Sequence, residues 1–252
     1  MQSLHDWFAT SPGSELAKQE VRLLSGRLAG LYARRVVQVG SFGVGHSLTL
    51  FGGARLWVLA SRREAALDLQ ADPEVLPLVS GSVDVIILNH QLEFTRRPHQ
   101  VIREAARVLA PEGHMIVLGF NPHSLWGLRQ YWPRGRHQPP WSGRYLSAAR
   151  IQDWMLLLGI TPRRHESFAP VPPLGRFTPS VKTTQPVAYS APLGPGLRWF
   201  GGVNLVMGQK RVNAAVHPPT SWRQRFEIIP GGLTQAGAGA RHSREETSHD
   251  TG

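Results

Sequence analysis

Between residues 35 and 120 the chain returns three times to one pattern, a short run apolar at nearly every position and closed by glycine or asparagine. Val36–Val39, Val83–Leu88 and His114–Gly119 are these runs. Continuous apolar character between turn signals predicts strands buried on both faces, as in a parallel sheet. From Pro98 to Leu109 the period changes: Val101, Ile102, Ala105, Val108 and Leu109 recur at helical spacing. Strand, helix, strand in that order is a parallel crossover. Arg55–Leu59 reads as a second strand and Ala66–Leu69 as a third. The residues from Ala60 to Ala65 are too few for an ordinary crossover of a dozen or more, so the usual helix is expected to be deleted, leaving a tight connection at the sheet edge.

The flanks follow the same logic. Ser14 is a plausible N-cap for a helix reaching Leu31, whose apolar positions Leu16, Val21, Leu24, Leu28 and Leu31 suit it to cover the edge of the sheet. Gly40-Ser41-Phe42-Gly43-Val44-Gly45 is a glycine-rich turn, followed by a helix candidate from His46 to Phe51. Ser147–Leu158 is amphipathic and ends at Gly159, while Ile160–Phe168 and Val203–Lys210 suggest an antiparallel closing hairpin. The expected fold class is therefore α/β, a Rossmann-like, mainly parallel sheet with helices on both faces. The expected organisation is an N-terminal helical cap over 1–34 and a main domain over 35–211, with its core in 35–120 and lid or substrate elements in 121–202. The segment 131–143, rich in Pro, Trp and Arg, is a lid candidate, and residues 212–252 are read as a disordered tail.

Particular residues sharpen this outline. Asp72 precedes Leu76-Pro77, Val83-Asp84 opens a strand that ends in Asn89-His90, and Arg107-Val108-Leu109-Ala110-Pro111-Glu112-Gly113 forms the next turn. In that order they resemble the class I S-adenosylmethionine-dependent methyltransferase domain of the type 11 sort, over about 35–120. The stretch Phe120-Asn121-Pro122-His123-Ser124-Leu125-Trp126-Gly127-Leu128-Arg129 looks like the signature of a divergent bacterial subfamily. The resemblance implies S-adenosylmethionine as cofactor, held by Gln38, Gly40, Ser41, Gly43, Gly45, Asp72 and Asn89. It also implies two departures. Gln38 stands where an acidic residue is usual, and Ala60-Ser61 stands where an acidic residue usually holds the ribose. Each lost charge-assisted hydrogen bond costs about 1.5–3 kcal/mol, so weaker cofactor binding is expected.

Composition adds exclusions. The chain has no cysteine, which removes disulfides, thiolate metal sites and cysteine nucleophiles, and its histidines lack metal-ligand spacing, so no metal is expected. No stretch approaches the ~20 apolar residues of a membrane span, and the start lacks a signal-peptide pattern, so a soluble, cytoplasmic protein is expected. Formal charge is +11, and all but three of the 28 Lys+Arg residues are arginine. That balance admits nucleic acid or an anionic surface as partner, although no dense basic run with interleaved aromatics occurs.

Candidate chemistry gathers at strand ends. Asn89 and His90 close one buried strand, and Asn121, His123, Trp126 and Arg129 follow the next, so the latter four are candidate substrate residues. Asp72 is either the carboxylate facing an adenine amine or a turn-forming Asp before Pro73, and His90 is either a general base or a positional hydrogen-bonding residue. Asp84 is expected to accept turn N–H groups, and Glu104 with Arg107 to form an i,i+3 ion pair. Methyl transfer by in-line displacement to an unknown acceptor is the first functional reading. A non-catalytic methyltransferase-like scaffold is the second. A nicotinamide-dependent oxidoreductase is the third, sharing the glycine turn but lacking an acidic ribose residue ~20 positions on.

Overall fold

A seven-stranded sheet in the order β3-β2-β1-β4-β5-β7-β6 organises the computed structural model. The structure describes residues 4–40, 42–43, 48, 50, 54–60, 68–130, 138–169 and 201–211, all within the unit Met1–Val212. The strands are β1 (Arg35–Val39), β2 (Arg55–Ala60), β3 (Leu69–Gln70), β4 (Val83–Asn89), β5 (Leu109–Phe120), β6 (Ile160–Phe168) and β7 (Val203–Lys210). The first five run parallel, and β7 lies antiparallel to both β5 and β6. The three apolar runs are strands, and the terminal pair forms the expected antiparallel closure.

Alternation along each strand divides the core in two. Ile86 and Leu88 of β4, with Met115 and Val117 of β5, face α3 (Pro98–Val108) and α5 (Ala148–Leu157). Val85 and Ile87, with Ile116, Leu118 and Phe120, share the opposite core with α2 (Ser11–Leu28). Residues 85–88 are all essentially inaccessible, which is why they show no polar alternation. Each such side chain contributes about 1.5–3 kcal/mol of burial.

Several expectations need correction. Helix α2 starts three residues before the expected Ser14 cap: Thr10 is the N-cap, its Oγ1 accepting from the Gly13 N–H at 3.4 Å. Ser11, Pro12 and Gly13 form its first turn, where a proline loses no hydrogen bond. Nor does α2 sit at the sheet edge. It crosses a face, and Arg27 near its end reaches Glu166 of β6 at 2.8 Å. The third strand is only Leu69–Gln70, paired with Leu59 and Ala60. Its short connection to β2 was anticipated, but residues 61–67 lie outside the described residues. So do most of the helix candidate at 46–51, part of the 131–143 lid candidate, and the tail from 212.

Local ties hold the frame. Asp84 Oδ2 accepts the backbone N–H groups of Arg34 and Arg35, each at 2.9 Å, and so locks the start of β1 to β4 rather than capping its own turn. The Glu104–Arg107 pair is present at 2.8 Å, and Arg107 also donates to the carbonyls of Leu76 and Leu78, pinning the loop between β3 and β4. Among the described residues no helix is long and apolar enough to cross a membrane, and no group of three or more metal-ligating side chains occurs.

Candidate active site at the carboxyl edge of the sheet

Parallel strands deliver their C-terminal ends to one edge. The order in which successive strands are added reverses beside β1, with β2 and β3 on one side and β4 and β5 on the other. A crevice opens outside the strand ends at such a switch point. Gly40 ends β1 there with φ of 91°, a conformation that favours glycine. A Cβ at Gly40 would collide with the Asn89 carbonyl and the Gln91 side chain, so the two strand ends meet across bare backbone. Gln38 is buried and donates from Nε2 to the Gly40 carbonyl at 2.6 Å, bracing the turn from beneath. Gly43 also has positive φ, 83°, but the group that closes on it is Phe8 from α1 (Leu4–Phe8), 2.9 Å from an added Cβ. Ser41 and Gly45 lie outside the described residues.

Asp72 follows β3 on the same edge. Its Oδ1 accepts the Glu74 N–H at 2.8 Å, the bond of a turn-forming Asp, while Oδ2 has no partner among the described residues. Ala60 ends β2 and is buried, its carbonyl accepting the N–H of Ala71. Asn89 is buried at the end of β4, and its carbonyl accepts from Gln91.

His90 adopts φ of 49°, a left-handed turn that swings its ring inward. Its Nε2 meets Glu20 Oε1 at 2.8 Å and its Nδ1 meets Glu93 Oε1 at 3.1 Å. All three side chains are essentially inaccessible. Burial alone would push the imidazole down, but the two carboxylates, Glu20 most strongly, outweigh it and hold the pKa at about 10. A charged ring with both nitrogens engaged has no lone pair to offer as a base at neutral pH. The ring thereby joins Glu20 of α2 to the segment that follows β4. Glu93 Oε1 also accepts the Phe120 N–H at 2.7 Å. The second oxygens of Glu20 and Glu93 have no partner among the described residues.

Around His90 stand Trp7, Phe8, Phe120, Trp126 and Tyr145. The Phe120 ring lies 4.2 Å from that of His90 and 5.1 Å from that of Tyr145, and the Trp7 ring lies 6.1 Å from that of Trp126. Burial, and then Glu93, push the Tyr145 hydroxyl pKa up.

The four candidate substrate residues follow β5, Asn121 and His123 in the turn and Trp126 and Arg129 in the short helix α4 (Leu125–Gln130), and they differ in role. Asn121 donates from Nδ2 to the Gly201 carbonyl and accepts the His123 N–H on Oδ1, and Trp126 donates to the Ala169 carbonyl. These two tie β5 to the ends of β6 and β7. His123 is exposed, and the Arg129 guanidinium lies 4.9 Å over the Trp141 ring. Sequence reasoning missed Glu20, Glu93 and Tyr145. A signal existed for Glu20, which falls on the stripe Leu16, Glu20, Leu24, Leu28, where a buried carboxylate demands a cationic partner.

A family model described as "Methyltransferase domain" matches residues 53–117. A protein of Escherichia coli (strain K12), "Uncharacterized protein YafS", is 41% identical over 101 residues, covering 40% of this chain and 42% of that one. A "Malonyl-[acyl-carrier protein] O-methyltransferase" of Hahella chejuensis is 31% identical over 100 residues, covering 38% of this chain and 34% of the relative. The chain thus spans less than half the length of the curated relatives it matches. A solved structure of a "SAM dependent methyltransferase" from Archaeoglobus fulgidus superposes with a TM-score of 0.55 at 16% identity, covering 82% of this chain and 97% of that one. Strand order, the matched segment and this likeness define the class: the chain has the class I S-adenosylmethionine-dependent methyltransferase fold. Within it, the matched segment is of the type 11 sort, as the sequence resemblance implied.

Proposed function

We propose that the chain is an S-adenosylmethionine-dependent methyltransferase. The observation that carries this reading is Gly40, side-chain-free and in positive φ, at the switch point where Asn89 closes from the neighbouring strand. The residues present fit the cofactor: a positive-φ glycine turn at Gly40 at the strand end, a buried amide at Asn89, and a carboxylate at Asp72 with one oxygen unspent. In this reading Gly40, Asn89 and Asp72 hold it, and Ser41, Gly43 and Gly45 are the further candidates that the resemblance assigns to it. Gln38 acts indirectly, by fixing the Gly40 carbonyl. The acceptor approaches from the side of His123 and Arg129.

When bound, the cofactor supplies an electrophilic methyl group on a sulfonium. The chain's own work is alignment and exclusion of water, for which the wall of Trp7, Phe8, Phe120, Trp126 and Tyr145 is suited. His90 contributes no proton transfer but keeps the helical cap seated over the cleft. A base is needed only where the acceptor must lose a proton, and none is assigned.

A binding or scaffold role on the same fold is favoured by two features, the spending of Gln38 on Gly40 and the presence of Ala60 where a ribose-holding acid is usual. Isothermal titration with S-adenosylmethionine, its demethylated product and a nicotinamide dinucleotide separates the readings. The methyltransferase reading expects the first two to bind and the third not to. Binding of none would favour the scaffold.

A further inference from the structure

Arginines scattered in sequence converge in space. Arg96, Arg97, Arg103, Arg144 and Arg150 line one cavity of about 620 Å³ between the start of α3 and α5, with Trp154 on its wall. All five arginines are exposed. Only Arg97 has an acidic partner, Glu74 at 2.7 Å; no carboxylate among the described residues pairs with the other four. Four guanidinium groups facing one concavity repel each other unless an anion joins them. The N-terminus of α3 adds to the same field: its N-cap Arg97 makes no side-chain capping bond, and the first turn holds no acidic residue. Position links this groove to the cleft. The Arg144 N–H donates to the Glu93 carbonyl at 2.8 Å, and α3 begins just beyond the Asn89–Glu93 segment, so both open at the carboxyl edge.

We propose that this groove binds the phosphates of a single-stranded nucleic acid and presents it as methyl acceptor; the presentation, though not the binding, rests on the methyltransferase reading. Arginine forks match phosphate oxygens in a bidentate way that lysine does not, and the groove holds no lysine. Trp154 is half-buried with its ring 3.7 Å from that of His99 and tilted 46° to it, so the groove wall carries two aromatic rings in contact. Unstacked bases pack on such rings, whereas a duplex hides its base faces, so a single strand is favoured. An acidic protein surface would satisfy the charge but has no use for a concave site with an aromatic wall.

The test is fluorescence polarisation of the full chain with a labelled twelve-nucleotide RNA strand across a salt series. About four phosphates contacted at ~0.7 each give an expected slope of log affinity on log salt near −3. Arg103→Glu with Arg150→Glu, both on exposed positions, should weaken binding at least tenfold and flatten that slope. Arg22→Glu with Arg163→Glu, which changes net charge equally but away from the groove, should weaken it no more than about twofold. Equal losses in the two double variants would overturn the proposal. So would displacement of the RNA by poly-glutamate at matched charge, which would indicate an acidic protein, or binding of ATP as tight as that of the strand, which would indicate a free nucleotide. Titration of S-adenosylmethionine into the same proteins separates the two readings. Groove-dependent RNA binding without cofactor binding sinks the methyltransferase reading alone. Cofactor binding with no groove-dependent RNA binding sinks the groove alone.

Discussion

A buried histidine flanked by two carboxylates ties stability to pH in a defined direction. The folded-state pKa of His90 is about 10, above the ordinary value near 6.5 of an unfolded histidine. The contribution of this group is therefore fully present below pH 6.5 and is lost as pH rises through about 10. Thermal unfolding followed by circular dichroism should show the melting temperature falling between pH 7 and pH 10. His90→Gln, which cannot titrate, should be destabilised by about 3–5 kcal/mol at pH 7, because Glu20 and Glu93 stay buried without a cation. Its melting temperature should then decline less over the same range. An equal decline in both proteins would mean that another group sets the pH dependence. The identity of His90 and its place at a strand end were readable from sequence. Its role was not, because Glu20 lies 70 positions away and only packing of α2 brings it to the ring.

The end of β2 poses the clearest question about an element. Its last residue, Ala60, is buried and its carbonyl is engaged by Ala71, so a carboxylate at that position would be stranded in the core. The next position, Ser61, is the better place to restore an acidic ribose acceptor. Ser61→Asp should tighten S-adenosylmethionine binding by about tenfold, the lower end of one charge-assisted hydrogen bond. The wild-type protein should bind more weakly than is usual for the fold, and calorimetry on the two proteins measures both statements. Submicromolar binding by the wild type would refute the argument. Elements were more readable than their junctions: α3 begins where the helical period begins, whereas α2 begins at Ser11, capped by Thr10, because Pro12 and Gly13 serve its first turn instead of breaking it.

At the scale of the whole molecule, the two cores among the described residues are built from positions between Trp7 and Met207. Truncation after Arg211 should therefore leave the melting temperature within a degree or two, and a fall of many degrees would show that residues 212–252 contribute to the fold. The sequence by itself determined which segments are buried strands and helices, and that the sheet is mainly parallel, because burial on both faces imposes continuous apolar runs and helical packing imposes its own period. It also placed Gly40, Asp72 and Asn89 at strand ends, since turn chemistry is local. Tertiary structure alone decided what those ends face. It seated Phe8 against Gly43, spent Gln38 on a carbonyl, closed Glu20 and Glu93 on His90, and gathered arginines from positions 96 to 150 into one groove. Each of these contacts joins residues through side-chain geometry, or across distant elements, that no periodicity encodes.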